Sequence, residues 1–377
     1  MKRKTIVFIL FIIIFIFTGC HNYREIENVS IVPGIAIDKA PDGKYLLTVE
    51  IADFTAAGKD ATVKSKLVQV EGDSIFNAVK NTIKIAGEDL FLSHTHSVII
   101  GPEVAKEGIL PIINWLMSDD EPRLTLYIII SREKQAQDFL KFKSETVKLS
   151  ANEMAKIIEA KSNSKTPDIK LYQIVNEFEN GNSLYLPVLN MTAQPENETF
   201  SLGGTALFKG DKLKGFLDEN ETELFLIIND QMKSKTFVCD VESGTKISLN
   251  ILKVNTVIKP LLKDGNITMQ IKTDIKADIN GIDTSEDIIN PEGEKKIESA
   301  AQEKLKTDIT EFIKASQKKI DYDIFGFGSY VYMQKPKEWS KIKDSWDAIY
   351  KNMQVEVEVK VKILNAGEQR RPVKIGG

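Results

Sequence analysis

The sequence predicts an α+β protein of three domains, an ectodomain held at a membrane by its N-terminus. Three observations carry this. A short apolar run stops at a cysteine, helical and strand periodicities alternate through the first half, and the last third sets one long amphipathic helix beside strands of near-perfect alternation. The expected division is a signal segment at 1–19, an N-terminal α/β domain at 20–197, a small middle α+β domain at 198–260 and a C-terminal α+β domain at 261–377. Mixed and antiparallel sheets covered by helices are expected, with the long helix packed on the C-terminal sheet.

Lys2, Arg3 and Lys4 precede an apolar run from Ile6 to Phe17. A bilayer-spanning helix takes roughly 20 apolar residues, so this run is too short to span and reads as an export signal. Its end, Phe17-Thr18-Gly19-Cys20, resembles a bacterial lipobox, in which Cys20 would receive a diacylglyceryl thioether and become the mature N-terminus. Two or three acyl chains on one residue give stable anchoring. The tether from His21 to Asn28 reaches at most roughly 29 Å, so the first domain is expected close to the bilayer.

Removing residues 1–19 takes the formal net charge from −4 to −7. An acidic ectodomain argues against nucleic acid as a partner, which would favour a basic stripe. With Cys20 lipidated, Cys239 has no partner for a disulfide and reads as a small buried hydrophobe on a strand.

In order, Val29–Asp38 and Lys44–Asp53 read as strands joined by a Pro-Asp-Gly turn, followed by a strand near Val63–Val70. A helix is expected over 75–86, capped by Asp73 or Ser74 and closed by Gly87, with Ile75, Val79, Ile83 and Ala86 inward. Thr95–Ile100 is a buried strand, Pro102 opens a helix reaching Leu116, and the apolar run Leu124–Ile130 is a strand covered on both faces. Helices at Ala151–Lys161 and Ile169–Glu179 and the strand SLYLPVLNM complete the first domain.

Next come two strands about the Lys209-Gly210-Asp211 turn, a helix opened by Asn220 or Thr222, and strands at Lys235–Val241 and Thr245–Lys259. In the last third, Asn266–Ile279 alternates, and Pro291 to Ile320 is a long helix with Ile297, Ala301, Leu305, Ile309, Ile313 and Ile320 on one stripe and Phe312 beside it. Trp339, Ile342, Trp346, Ile349 and Met353 repeat at helical spacing, and QVEVEVKVKIL is a closing strand.

No catalytic residues are assigned. The sequence has no nucleophile elbow, P-loop or zinc helix. If Leu92–Ile100 is one strand, His94 and His96 share a face, but no third ligand stands at a metal spacing, so ordinary hydrogen bonding is expected and no metal. Asp119, Asp120 and Glu121 read as a solvated turn, and Trp339 and Trp346 as core packing rather than a ligand groove. The glycines of Gly326-Phe327-Gly328 are expected to allow tight packing; no cofactor site is expected.

The chain resembles the Ger(x)C family, the lipoprotein C subunits of bacterial spore germinant receptors. The resemblance starts after Cys20, where Glu25, Ile26, Gly34 and Asp38 fit the family pattern while His21 and Asn22 replace its Trp and Asp. It continues through LFLSHTHSVIIGPEVAKEGI, MSDDEPRLTLYIII, GGTALFKGDKLKGFLDENET, IFGFGSYVYMQKPKEW and the terminal VEVEVKVKI strand. It implies a non-catalytic subunit on the outer face of the inner spore membrane, beside a large A subunit and a polytopic B subunit. The nutrient sensed is not implied, and Cys20 is the one functional position carried over. The alternatives are a substrate-binding lipoprotein of an importer, disfavoured by the unlike halves and short tether, and an envelope hydrolase using Asp119 and Glu121.

Overall fold

The computed structural model describes residues 29–53, 64–141, 150–160, 165–181, 183–193, 198–241, 245–263, 266–283 and 290–365. The signal segment, Cys20 and the tether lie outside the described residues. Two main sheets organise the rest.

The first expected strand is two. β1 (Val29–Ile31) stops before Val32-Pro33, and the chain resumes as β2 (Gly34–Lys39). Pro33 has no N–H to give a ladder, and its carbonyl accepts from the His96 N–H at 2.8 Å. β2 then pairs with β3 (Tyr45–Asp53), and β3 with β4 (Lys64–Gly72), all antiparallel. Gly43, at φ +85°, makes the turn between β2 and β3.

α1 (Ile75–Ala86) has Ser74 as its N-cap and left-handed Gly87 as its C-cap. Its fully buried positions are Ile75, Ala78 and Thr82, so the inward stripe is rotated from the expected one and Val79, Ile83 and Ala86 are half-buried. β5 (Asp89–Phe91) pairs parallel with β1, in a two-stranded ribbon outside the main sheet. β6 (Ser97–Ile100) follows, then α2 (Pro102–Glu107) and α3 (Leu110–Ser118), which Gly108 at φ +137° separates. β7 (Tyr127–Ser131), α4 (Gln137–Lys141), α5 (Ser150–Glu159), α6 (Leu171–Glu179) and β8 (Leu184–Ala193) come next. β9 (Glu198–Lys209) and β10 (Lys212–Leu217) form a hairpin on the edge.

The resulting eight-stranded sheet has the order β10-β9-β8-β7-β6-β2-β3-β4. Its central strands β2, β6, β7 and β8 are parallel, and their apolar runs follow from burial on both faces. Ile35, Ile37, Val98, Ile100, Ile128 and Ile130 point to the layer of α1, α2, α3 and α6. The alternate residues Ala36, Ile99, Tyr127 and Ile129 meet α4 and α5.

α7 (Glu219–Ile228) leads to the second unit. Its N-cap is Asp218, two residues before the earlier of the two expected positions, because Asp218 and Glu221 exchange main-chain hydrogen bonds in a capping box. β11 (Lys235–Asp240), β12 (Lys246–Lys263), β13 (Asn266–Asp283) and β14 (Gln354–Asn365) form a four-stranded sheet in that order, antiparallel except for the parallel β13/β14 pair. One face is covered by α8 (Pro291–Lys319), capped by Asn290, which buries Ile297, Ala301, Leu305, Ile309 and Ile313 as expected, while Ile320 lies just past its end in extended backbone and is half-buried. Between α8 and β14 lie α9 (Phe327–Gln334), α10 (Pro336–Ile342) and α11 (Trp346–Asn352). A 3-10 turn at Lys343–Ser345 thus breaks the single helical register expected for 339–353.

The expected boundaries at 197 and 260 both need correction. β9 and β10, on the far side of 197, extend the first sheet, and position 260 falls inside β12. Main-chain pairing of β8 with β9 is the physical reason: a boundary there would leave both strands with an open edge.

Candidate functional site

The site grows from the segment that leaves α8, Asp321-Tyr322-Asp323-Ile324-Phe325-Gly326-Phe327-Gly328. Asp323 is buried, and its Oδ1 accepts from the Phe325 N–H at 3.1 Å. Its Oδ2 accepts from the Gly328 N–H at 2.7 Å and the Trp346 indole Nε1–H at 3.1 Å. Gly326 makes the turn at φ +68°. Gly328 leaves no room for a side chain, since a Cβ there would lie 2.9 Å from Trp346 Nε1 and 3.0 Å from the Trp339 ring. The two indoles meet edge-to-face at 5.3 Å between centroids. These tryptophans therefore pack as the sequence predicts, and they also form one wall of a cleft.

The opposite wall comes from the first unit: Glu179 and Asn180 at the end of α6, Ser183 before β8, and Lys209 and Gly210 at the β9–β10 turn. The cleft has a volume of about 700 Å³. Two contacts tie its walls together. Ser183 Oγ donates to the Asp323 carbonyl, and Lys209 Nζ lies 2.8 Å from Asp347 Oδ2 while standing 5.7 Å over the Tyr322 ring. Tyr332 and Met333, 60% and 65% exposed, form an apolar rim.

Burial holds the Asp323 carboxyl above the usual range, against the lowering effect of its hydrogen bonds. The Asp347 carboxylate raises Lys209. Burial pushes Tyr322 well above an ordinary phenol, and its hydroxyl has no hydrogen-bond partner among the described residues. The volume suits a small ligand or an inserted side chain. Its strongest polar groups, Asp323 with the Gly328 N–H and the Trp346 indole and Lys209 with Asp347, are already engaged with one another.

The other sequence-derived sites are not brought together here. Cys20 lies outside the described residues. Cys239 is buried on β11, and burial raises its thiol. The His94/His96 expectation is corrected: Leu92–His94 is a 3-10 turn, so the two do not share a strand face. His94 lies against the Phe91 ring, while His96 is half-buried and lowered by that burial. Asp119 accepts from the Glu121 N–H at 3.0 Å and Glu121 from the Leu92 N–H at 3.2 Å, a structured turn. Among the described residues no group of three His, Cys, Asp or Glu could hold a metal ion, and no helix is long and apolar enough to cross a membrane.

Two of the residues that carried the family resemblance have roles in the fold. A Cβ on Gly34 would fall 2.3 Å from Ala151 Cβ, so glycine lets α5 approach β2. Asp38 accepts from the main-chain N–H groups of Ala136 and Gln137 at 2.7 and 2.9 Å, capping α4. Glu50, which sequence reasoning did not single out, does the same for α5 through Ser150 and Ala151.

Two family models match one after the other along the chain. "Spore germination protein N-terminal domain" covers residues 22–191, and "Spore germination B3/ GerAC like, C-terminal" covers residues 203–367. Spore germination protein KC of Bacillus subtilis (strain 168) is 23% identical, covering 99% of this chain and 98% of that protein. Spore germination protein GerQC of Bacillus cereus is 22% identical, with 97% and 99% covered. The putative spore germination protein YfkR of B. subtilis (strain 168) is 25% identical, with 94% and 95% covered. The crystal structure of the GerBC protein superposes with a TM-score of 0.59 at 20% identity, over 88% of this chain and 97% of that one, and so shares the fold. A cleft lined by the IFGFGSY segment, the paired tryptophans and the β9–β10 turn thus stands in a chain matched end to end by spore germination proteins, and the chain belongs to the Ger(x)C family.

Proposed function

We propose that this chain is the C subunit of a nutrient germinant receptor, a lipoprotein on the outer face of the inner spore membrane with a non-catalytic role beside the A and B membrane subunits. The colinear match to spore germination proteins over nearly the whole length carries this reading. Three further features support it. The Phe17-Thr18-Gly19-Cys20 run supplies an anchor. The tether of eight residues would keep the first unit within about 29 Å of the bilayer, beside membrane partners. The cleft's polar groups are engaged with one another and form no nucleophile–base pair.

Cys20→Ala tests the reading in spores. The variant is expected to leave the membrane fraction, and dipicolinate release is expected to fail for a subset of nutrients while a non-nutrient trigger still works. Full membrane retention would refute lipid as the anchor. A complete deletion with every nutrient response intact would refute the receptor role and favour an importer lipoprotein.

A further inference from the structure

The solvent face of the four-stranded sheet carries lysines in register. Lys253 on β12 stands opposite Lys276 on β13, and Lys276 stands opposite Lys362 on β14. Adjacent strands are about 4.8 Å apart, so three ammonium-bearing side chains leave one face side by side. Lys360 stands one row along, opposite Asp274. All four lysines are exposed, and with Asp274 and Asn255 they line a shallow hollow of about 650 Å³.

The fold does not require this row. Exposed strand positions accept any polar residue, and like charges directly opposite one another are unfavourable. Elsewhere on the same face the sequence does match signs: Lys263 pairs with Glu356, and Lys272 with Glu358 at 2.8 Å. Lys360 reaches Glu358 at 3.5 Å and Lys362 reaches Glu298 at 3.0 Å, yet among the described residues Lys253 and Lys276 have no such ion pair. A β-bulge at Leu252 shifts the register between Ile251 and Lys253 and turns Lys253 outward into the row. Bulges commonly re-aim a side chain at a functional place.

We propose that this face binds an acidic polypeptide segment of a partner. The row is basic on a chain whose formal net charge is −4, so its sign is local and complementary to carboxylates. It spans three strands, roughly 10 Å, more than one small anion bridges, while carboxylates on alternate residues of an extended chain recur at about 7 Å. Exposed Leu252, 42% accessible, directly precedes Lys253 on β12 and favours a polypeptide over a free ion. A bilayer fits less well, because the chain's N-terminal tether joins the other unit, at β1. The inference rests on the sheet alone and stands whether or not the chain is a receptor subunit.

The test is binding of a fluorescent oligoglutamate peptide to the full mature chain in neutral detergent. Lys253→Gln/Lys276→Gln/Lys362→Gln is compared with an equal-charge control, Lys337→Gln/Lys341→Gln/Lys343→Gln. Wild type is expected to bind in a salt-sensitive way, the row triple to lose about tenfold or more, and the control to stay within about twofold. The melting temperature of the unliganded row triple is expected to match wild type, since relief of the lysine repulsion offsets the loss of the Lys362–Glu298 pair, and this separates lost binding from lost folding. No salt-sensitive binding by wild type, or equal loss in both triples, would overturn the proposal. Competition by pyrophosphate or phosphatidylglycerol vesicles as strong as that by oligoglutamate would also overturn it, in favour of a small anion or a membrane.

Discussion

Asp38, Glu50 and Asp323 are buried carboxylates that do similar work at three places, each accepting main-chain N–H groups where a helix begins. A helix start has N–H groups without intrahelical partners, and a carboxylate satisfies them and suits the helix dipole. Burial outweighs these bonds and raises all three above the ordinary carboxylate range. An acid with a raised folded pKa binds more protons folded than unfolded, so its contribution to stability falls as pH rises from the unfolded value through the folded one. Asp38→Asn places an amide donor against one of two main-chain donors and is expected to cost about 1–3 kcal/mol at neutral pH. Measured by urea unfolding, that gap should widen as pH falls toward the ordinary carboxylate range; a gap that closes would mean the hydrogen bonds outweigh burial. Asp38 was visible in the sequence as a family position, but its role was not. The groups it caps are 98 and 99 residues away, and no local spacing records such a contact.

Periodic elements were the most legible. The stripe Ile297, Ala301, Leu305, Ile309 and Ile313 is buried as the helical spacing predicts, and Ile267, Met269, Ile271, Ile275 and Ala277 face it from β13. Leu305→Ala is expected to cost about 2–5 kcal/mol in urea unfolding, while exposed Lys306→Ala should stay within about 0.5 kcal/mol. Equal effects would place α8 elsewhere. Non-periodic features were less legible. The break between α10 and α11 was missed because the tryptophan spacing fits a continuous helix. The Trp346–Asp323 bond and the edge-to-face indole pair instead belong to a helix interrupted by a 3-10 turn. Gly328→Ala tests that packing: a Cβ there must displace an indole, at about 1–3 kcal/mol. A changed indole fluorescence is expected from Trp339 and Trp346, against a constant background from Trp115, which lies buried in the first unit.

At the scale of the whole molecule, the α+β class is legible in the sequence but not how the parts join. The expected middle domain is divided between the sheets, and α7 is where they meet. Phe225 on α7 is fully buried, edge-to-face with Tyr185 of β8 at 5.0 Å and 6.1 Å from Phe325 beyond α8. Leu207 and Leu217 of the first sheet belong to the same apolar cluster as the whole second sheet, and Thr205 and Thr222 share a buried hydrogen bond at 3.0 Å. Phe225→Ala is therefore expected to cost about 3–5 kcal/mol and to move one calorimetric transition, not to split it into two. Two separate peaks would show that the units melt independently. Lys233, just past α7, also reaches back to Asp168 at 2.6 Å, a second fastening across the same junction. With its core shared in this way the molecule is a strut rather than a hinge: a load placed on the first sheet passes through α7 to the sheet that carries the lysine row.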